Sequence, residues 1–94
     1  MRIIGRIPHP KLQITVFSND GRFPVQFELD GQTQIYRFRH GEHLKGLADI
    51  EALVDDSFVT GVLATFRQMR KTQATVNRRL QSLSEVDDDL PEII

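Results

Sequence analysis

Two dipeptides, Asp20-Gly21 and Asp30-Gly31, constrain this chain more than anything else in it. Asp-Gly between runs of alternating apolar residues specifies a two-residue hairpin loop. The type I′ turn needs positive φ at both central positions, and few residue pairs accept that. A two-residue loop at Asp30-Gly31 pairs Leu29 with Gln32, Phe27 with Gln34, Val25 with Tyr36 and Phe23 with Phe38. The same loop at Asp20-Gly21 pairs Val16 with Val25, Ile14 with Phe27 and Leu12 with Leu29. Both registers put the large apolar residues on one sheet face. A slip of one residue would turn that set to solvent, so the agreement of the two hairpins supports the register.

The expected strands are Lys11 to Phe17, Arg22 to Leu29 and Gln32 to Arg39, a three-stranded antiparallel meander. A further short strand at Arg2 to Ile7 is compatible with the pattern and stops at Pro8-His9-Pro10. The second sheet face carries Gln13, Thr15, Gln26, Glu28, Thr33, Arg37 and Arg39, interrupted by Phe17 and Ile35. Pro24 conflicts with the simple scheme, because it has no N–H for a ladder bond. In this register its nitrogen points at the Phe17 carbonyl. Either pairing with the first strand begins past that point, or the first loop is longer or bulged.

After a loop over His40 to Gly46, Asp49 is placed to cap a short helix from Ile50 to Val54. Asp55 or Asp56 then caps a long helix from about Ser57 to Leu83. Gly61 is a mild internal cost to that helix. Phe58, Val62, Phe66, Met69, Val76, Leu80 and Leu83 fall on one stripe of the long helix, with Arg67, Lys71 and Arg78 opposite. The first half of the apolar stripe is expected to cover Ile14, Val25, Phe27, Tyr36 and Phe38. The second half outruns the sheet: such a helix spans about 40 Å, and a strand of seven or eight residues only about 25 Å. Met69, Val76, Leu80 and Leu83 then form a near-heptad seam, with Gln73 at a core position, that has no sheet beneath it.

The fold class is therefore α+β, with residues 1–83 as one domain and 84–94 as an acidic tail expected to be disordered. The charge is segregated along the chain. Ser57 to Leu83 holds Arg67, Arg70, Lys71, Arg78 and Arg79 without any acid, and Ser84 onward holds Glu85, Asp87, Asp88, Asp89 and Glu92 without any base. That tail reads either as a solubilising segment or as a docking peptide.

Several chemistries lack their residues. The absence of cysteine rules out disulfides, thiolate metal sites and a cysteine nucleophile. His40, Glu42 and His43, with His9, have the donor types for zinc, but they sit in loops with no helical face to set their spacing. No metal or cofactor is expected. No nucleophile elbow or phosphate loop is present, and the acids lie in turns, caps and the tail, so an enzyme is not expected. No apolar run is long enough for a transmembrane helix. Arg6, Pro8 and Pro10 interrupt any signal-peptide core, which makes the cytoplasm the expected location.

The run Ile7-Pro8-His9-Pro10, Lys11 to Phe17, Phe27-Glu28, Thr33 to Phe38 and Phe66-Arg67-Gln68-Met69 resembles an uncharacterised family of small bacterial proteins. The resemblance covers about residues 3 to 72. It implies a bacterial, cytoplasmic protein and no catalytic residues.

The function expected from these residues is protein interaction. Met69, Val76, Leu80 and Leu83 would make a homodimer seam or take another protein. The second reading is binding of nucleic acid or another polyanion by Arg67, Lys71 and Arg78, with Arg37 and Arg39 adding charge. A sequence pI of about 6.3, and no aromatic residue between those bases for stacking, count against it.

Overall fold

The computed structural model describes residues 1–89, and side chains as far as Leu83. Four strands come first: β1 Arg2–Ile7, β2 Gln13–Ser18, β3 Arg22–Leu29 and β4 Gln32–Arg39. Two helices follow, α1 Leu47–Leu53 and α2 Asp56–Asp89. The strands form one antiparallel sheet in the order β1-β2-β3-β4. The expected three-stranded meander is thus extended by β1 to four strands. Its Arg2-to-Ile7 boundaries match those that the apolar pattern suggested.

Both Asp-Gly loops adopt positive φ at each central residue, 45° and 77° at Asp20-Gly21 and 49° and 80° at Asp30-Gly31. These are the left-handed values a type I′ turn demands. From the second loop the β3–β4 ladder runs without interruption from Leu29↔Gln32 to Arg22↔Arg39. The β2–β3 ladder runs from Gln13↔Glu28 to Val16↔Val25, then lapses, and returns as the single bridge Asn19↔Arg22 around the turn.

Pro24 explains the lapse. Hydrogen-bonded and non-bonded pairs alternate along an antiparallel ladder. Asn19 and Arg22 exchange both backbone bonds, at 2.9 and 3.0 Å, so Phe17 opposite Pro24 would be the next bonded pair. The ring nitrogen cannot donate there. The two-residue loop and the register are kept, and only the bond that Pro24 would donate to Phe17 is lost. Leu12 falls outside the ladder and is buried all the same.

β1 carries a bulge between Ile3 and Gly5 that shifts its register on β2 from Ile3↔Phe17 to Gly5↔Val16. The bulge brings Gly5 beneath Leu47 at the start of α1. A Cβ on Gly5 would lie 2.5 Å from the Leu47 Cδ2 atom, so glycine is what lets helix and strand meet so closely.

The inner sheet face builds the core from Leu12, Ile14, Val16, Phe23, Val25 and Phe27. Above them lie Ile50 and Val54 at α1 and Val62 and Phe66 of α2. Tyr36 and Phe38 pack at its margin edge-on to Phe58, with ring centroids 5.1 and 6.0 Å apart. Gln34, the one buried amide on this face, donates to the Val62 carbonyl at 3.0 Å and accepts from the Tyr36 hydroxyl. It fastens β4 to the second turn of the covering helix, and among the described residues no buried side-chain polar atom is left unpaired.

The helix starts differ in part from the capping signals. α1 begins at Leu47, three residues before the expected start, with Gly46 at its N-cap. Asp49 lies inside the first turn, where its carboxylate reaches back to accept from the Lys45 N–H at 2.8 Å. Asp55 is the α2 cap, accepting from the Phe58 N–H at 2.9 Å.

α2 continues to Asp89, past the expected end at Leu83. The side chains of the proposed tail, 84–94, and the backbone of 90–94 lie outside the described residues. Among the described residues no helix is long and apolar enough to cross a membrane. Gly61 sits in α2 with open space around the position of a Cβ. Gly61→Ala is therefore expected to raise stability by about 0.5–1 kcal/mol through the unfolded chain, read as a higher denaturant midpoint at unchanged slope.

Candidate functional site

α2 is where fold and candidate site meet. A helix of this length spans about 51 Å at 1.5 Å per residue, against a body whose long axis is 61 Å and whose other axes are 27 and 19 Å. Val62, Phe66, Met69, Gln73, Val76, Leu80 and Leu83 alternate four- and three-residue steps, a heptad seam along one line of the helix. The sheet covers only its beginning. Val62 and Phe66 are buried, and Met69 packs at the core margin. Beyond it exposure climbs from 40% at Val76 to 55% at Leu80 and 59% at Leu83.

The helix leaves the sheet at the β3–β4 turn. Here Arg70 reaches Asp30 across 3.7 Å, an exposed ion pair of small energetic weight. An open groove of about 500 Å³ lies alongside, lined by Gln32, Met69, Gln73 and Val76. The four seam residues expected from the sequence thus divide. Met69 is half-buried against the protein's own core, and Val76, Leu80 and Leu83 are bare.

The five bases proposed for polyanion binding are not gathered on one surface. Arg67, Lys71 and Arg78 are exposed on α2, away from the seam. Arg37 and Arg39 alternate with the inward-facing Tyr36 and Phe38, so they stand on the outer sheet face, a full layer from α2. There they join two arginines that the sequence reading did not include. Arg22 is the direct cross-strand partner of Arg39, and Arg6 pairs with the outer-face Thr15. Strand alternation alone could have found Arg22. Arg6 needed the β1 bulge, which sets its face.

The histidines serve backbone and packing. His9 Nδ1 accepts from the N–H groups of Lys11 and Leu12, both at 3.0 Å, and closes the turn into β2. His40 lies against the Phe23 ring with centroids 4.0 Å apart, and Glu42 and His43 are exposed. Among the described residues no three His, Asp or Glu side chains come together as a metal site.

No family model, curated protein or solved structure matches this chain. The bacterial resemblance therefore rests on the residues quoted for it.

Proposed function

We propose that this chain is a non-catalytic interaction module that self-associates through the free end of α2, as a homodimer in the bacterial cytoplasm. The observation that carries the reading is the continuity of one heptad stripe from the buried Phe66 to the exposed Leu83. The residue types and spacing that fill the core in the first half recur in the second, where no part of the described chain covers them.

The position of the sheet also favours an orientation. The sheet lies on the seam side of α2, so two helices joined in parallel along their seams would drive their sheets into one another. An antiparallel overlap of the two tips leaves the sheets at opposite ends. In the register that buries the apolar residues, Val76 of one copy faces Leu80 of the other, and Gln73 faces Leu83.

Light scattering after gel filtration tests the reading: twice the chain mass is expected, and a monomer at high micromolar concentration refutes it. The chain lacks cysteine, so single-cysteine variants report orientation cleanly. Val76→Cys and Leu80→Cys chains mixed together are expected to form a mixed disulfide, with Gln73→Cys chains giving no disulfide with themselves. Self-crosslinking of Gln73→Cys would reverse the orientation.

A further inference from the structure

The outer sheet face presents a second surface, independent of α2. Cross-strand register orders it row by row. Arg22 and Arg39 face each other at one end, next to the row Ile3, Phe17, Pro24 and Arg37. Arg6, Thr15, Gln26 and Ile35 form the row after that. An apolar strip runs across the four strands from Ile3 through Phe17 and Pro24 to Ile35, with Ile3 exposed to 52% and Ile35, one row on, to 43%. Four guanidinium groups surround it. Glu28 is the only acid that the four strands carry, and it accepts from Gln26.

Arg22 opposite Arg39 is costly to folding. Their neighbours Phe23 and Phe38 flank them in the ladder, and the arginine pair falls at a non-hydrogen-bonded position. Side chains there approach most closely, and like charges destabilise. None of the four arginines makes an ion pair among the described residues, where the Arg70–Asp30 contact is found instead. Among the described residues no acid faces this like-charged pair, which makes the face complementary to a negative partner.

We infer that this face binds an acidic protein segment that also carries aliphatic side chains. The carboxylates would meet Arg6, Arg22, Arg37 and Arg39, and the aliphatic groups would cover Ile3, Phe17 and Ile35. Two other occupants fit less well. A second copy docking through the same face would set guanidinium against guanidinium. A single-stranded nucleic acid would find no fully exposed aromatic ring to stack on, since Phe17 is half-buried among its neighbours.

The probe is a fluorescent peptide with the sequence of residues 84–94, which has five acids and the aliphatic residues Val86, Leu90, Ile93 and Ile94. Its anisotropy is followed on adding the full chain at low salt. Arg22→Ser/Arg39→Ser is expected to weaken binding at least tenfold while raising the melting temperature, because the repulsion is removed. Ile3→Ser/Ile35→Ser is expected to weaken it several-fold with the arginines intact. An oligo-aspartate of equal charge should bind at least tenfold more weakly than the probe. Three results would overturn the inference: no binding of the probe, unchanged binding by the arginine variant, or oligo-aspartate or oligo-dT binding as tightly as the probe.

Discussion

Phe66→Ala is expected to remove a large share of the fold's stability, about 3–5 kcal/mol. At 94 residues the total lies on the order of 5–14 kcal/mol. Phe66 is fully buried, and with Val62 it supplies the α2 contribution to a core of ten buried apolar residues. Two features keep the site from collapsing around the cavity. The sheet below is held by two tight turns, and Gln34 pins the helix at the Val62 carbonyl, one turn before Phe66. The cavity would therefore stay open, which places the cost toward the upper end of the range. Urea denaturation at fixed chain concentration reads it as a fall in midpoint without loss of slope. A loss below about 1 kcal/mol would mean that α2 is not clamped to the sheet as described.

Much of this arrangement could be read beforehand, because local chemistry decided it. Asp20-Gly21 and Asp30-Gly31 accept φ values that other residues resist, and each turn sets the pairing of every residue leading away from it. Hence the pairs Val25↔Tyr36 and Ile14↔Phe27 follow from counting. Pro24 was recognisable as a conflict, but the choice between a longer loop and a skipped pair depends on the balance of the whole hairpin. The chain keeps the short loop, since the turn and the apolar register outweigh the one ladder bond that Pro24 cannot donate.

What resisted reading was decided by contacts distant in sequence. β1 needs its bulge and Gly5 to fit beneath Leu47, a residue 42 positions later. Asp49 resembles an N-cap by local pattern, but α1 starts at Leu47, the residue that packs over Gly5 of β1. The basic residues show the same limit at the level of the site. Charge along the chain drew attention to Arg67, Lys71 and Arg78, with Arg37 and Arg39 beside them. The tertiary layer between helix and outer face groups Arg37 and Arg39 with Arg22 and Arg6 instead.

Val76→Asp/Leu80→Asp should have the opposite character to Phe66→Ala, although all three residues lie on one stripe. Within a single chain these positions are 40% and 55% exposed and touch no core, so the monomer's sheet and its unfolding slope are expected to persist. In the paired state, however, the double variant sets four carboxylates into one short seam. Each would have to give up water on entering the seam, and Arg67, Lys71 and Arg78 stand on the opposite face of α2. Dimer dissociation is expected to strengthen by at least a hundredfold in Kd, about 2.7 kcal/mol. Sedimentation equilibrium would show monomers, and circular dichroism would show the strands retained. Leu80→Ala gives the graded version: a weaker dimer, with little change in the stability of the isolated chain. If the double variant remains dimeric, the contact lies elsewhere on the surface. If it unfolds, the end of α2 is being held by its own chain, and the seam belongs to the core after all.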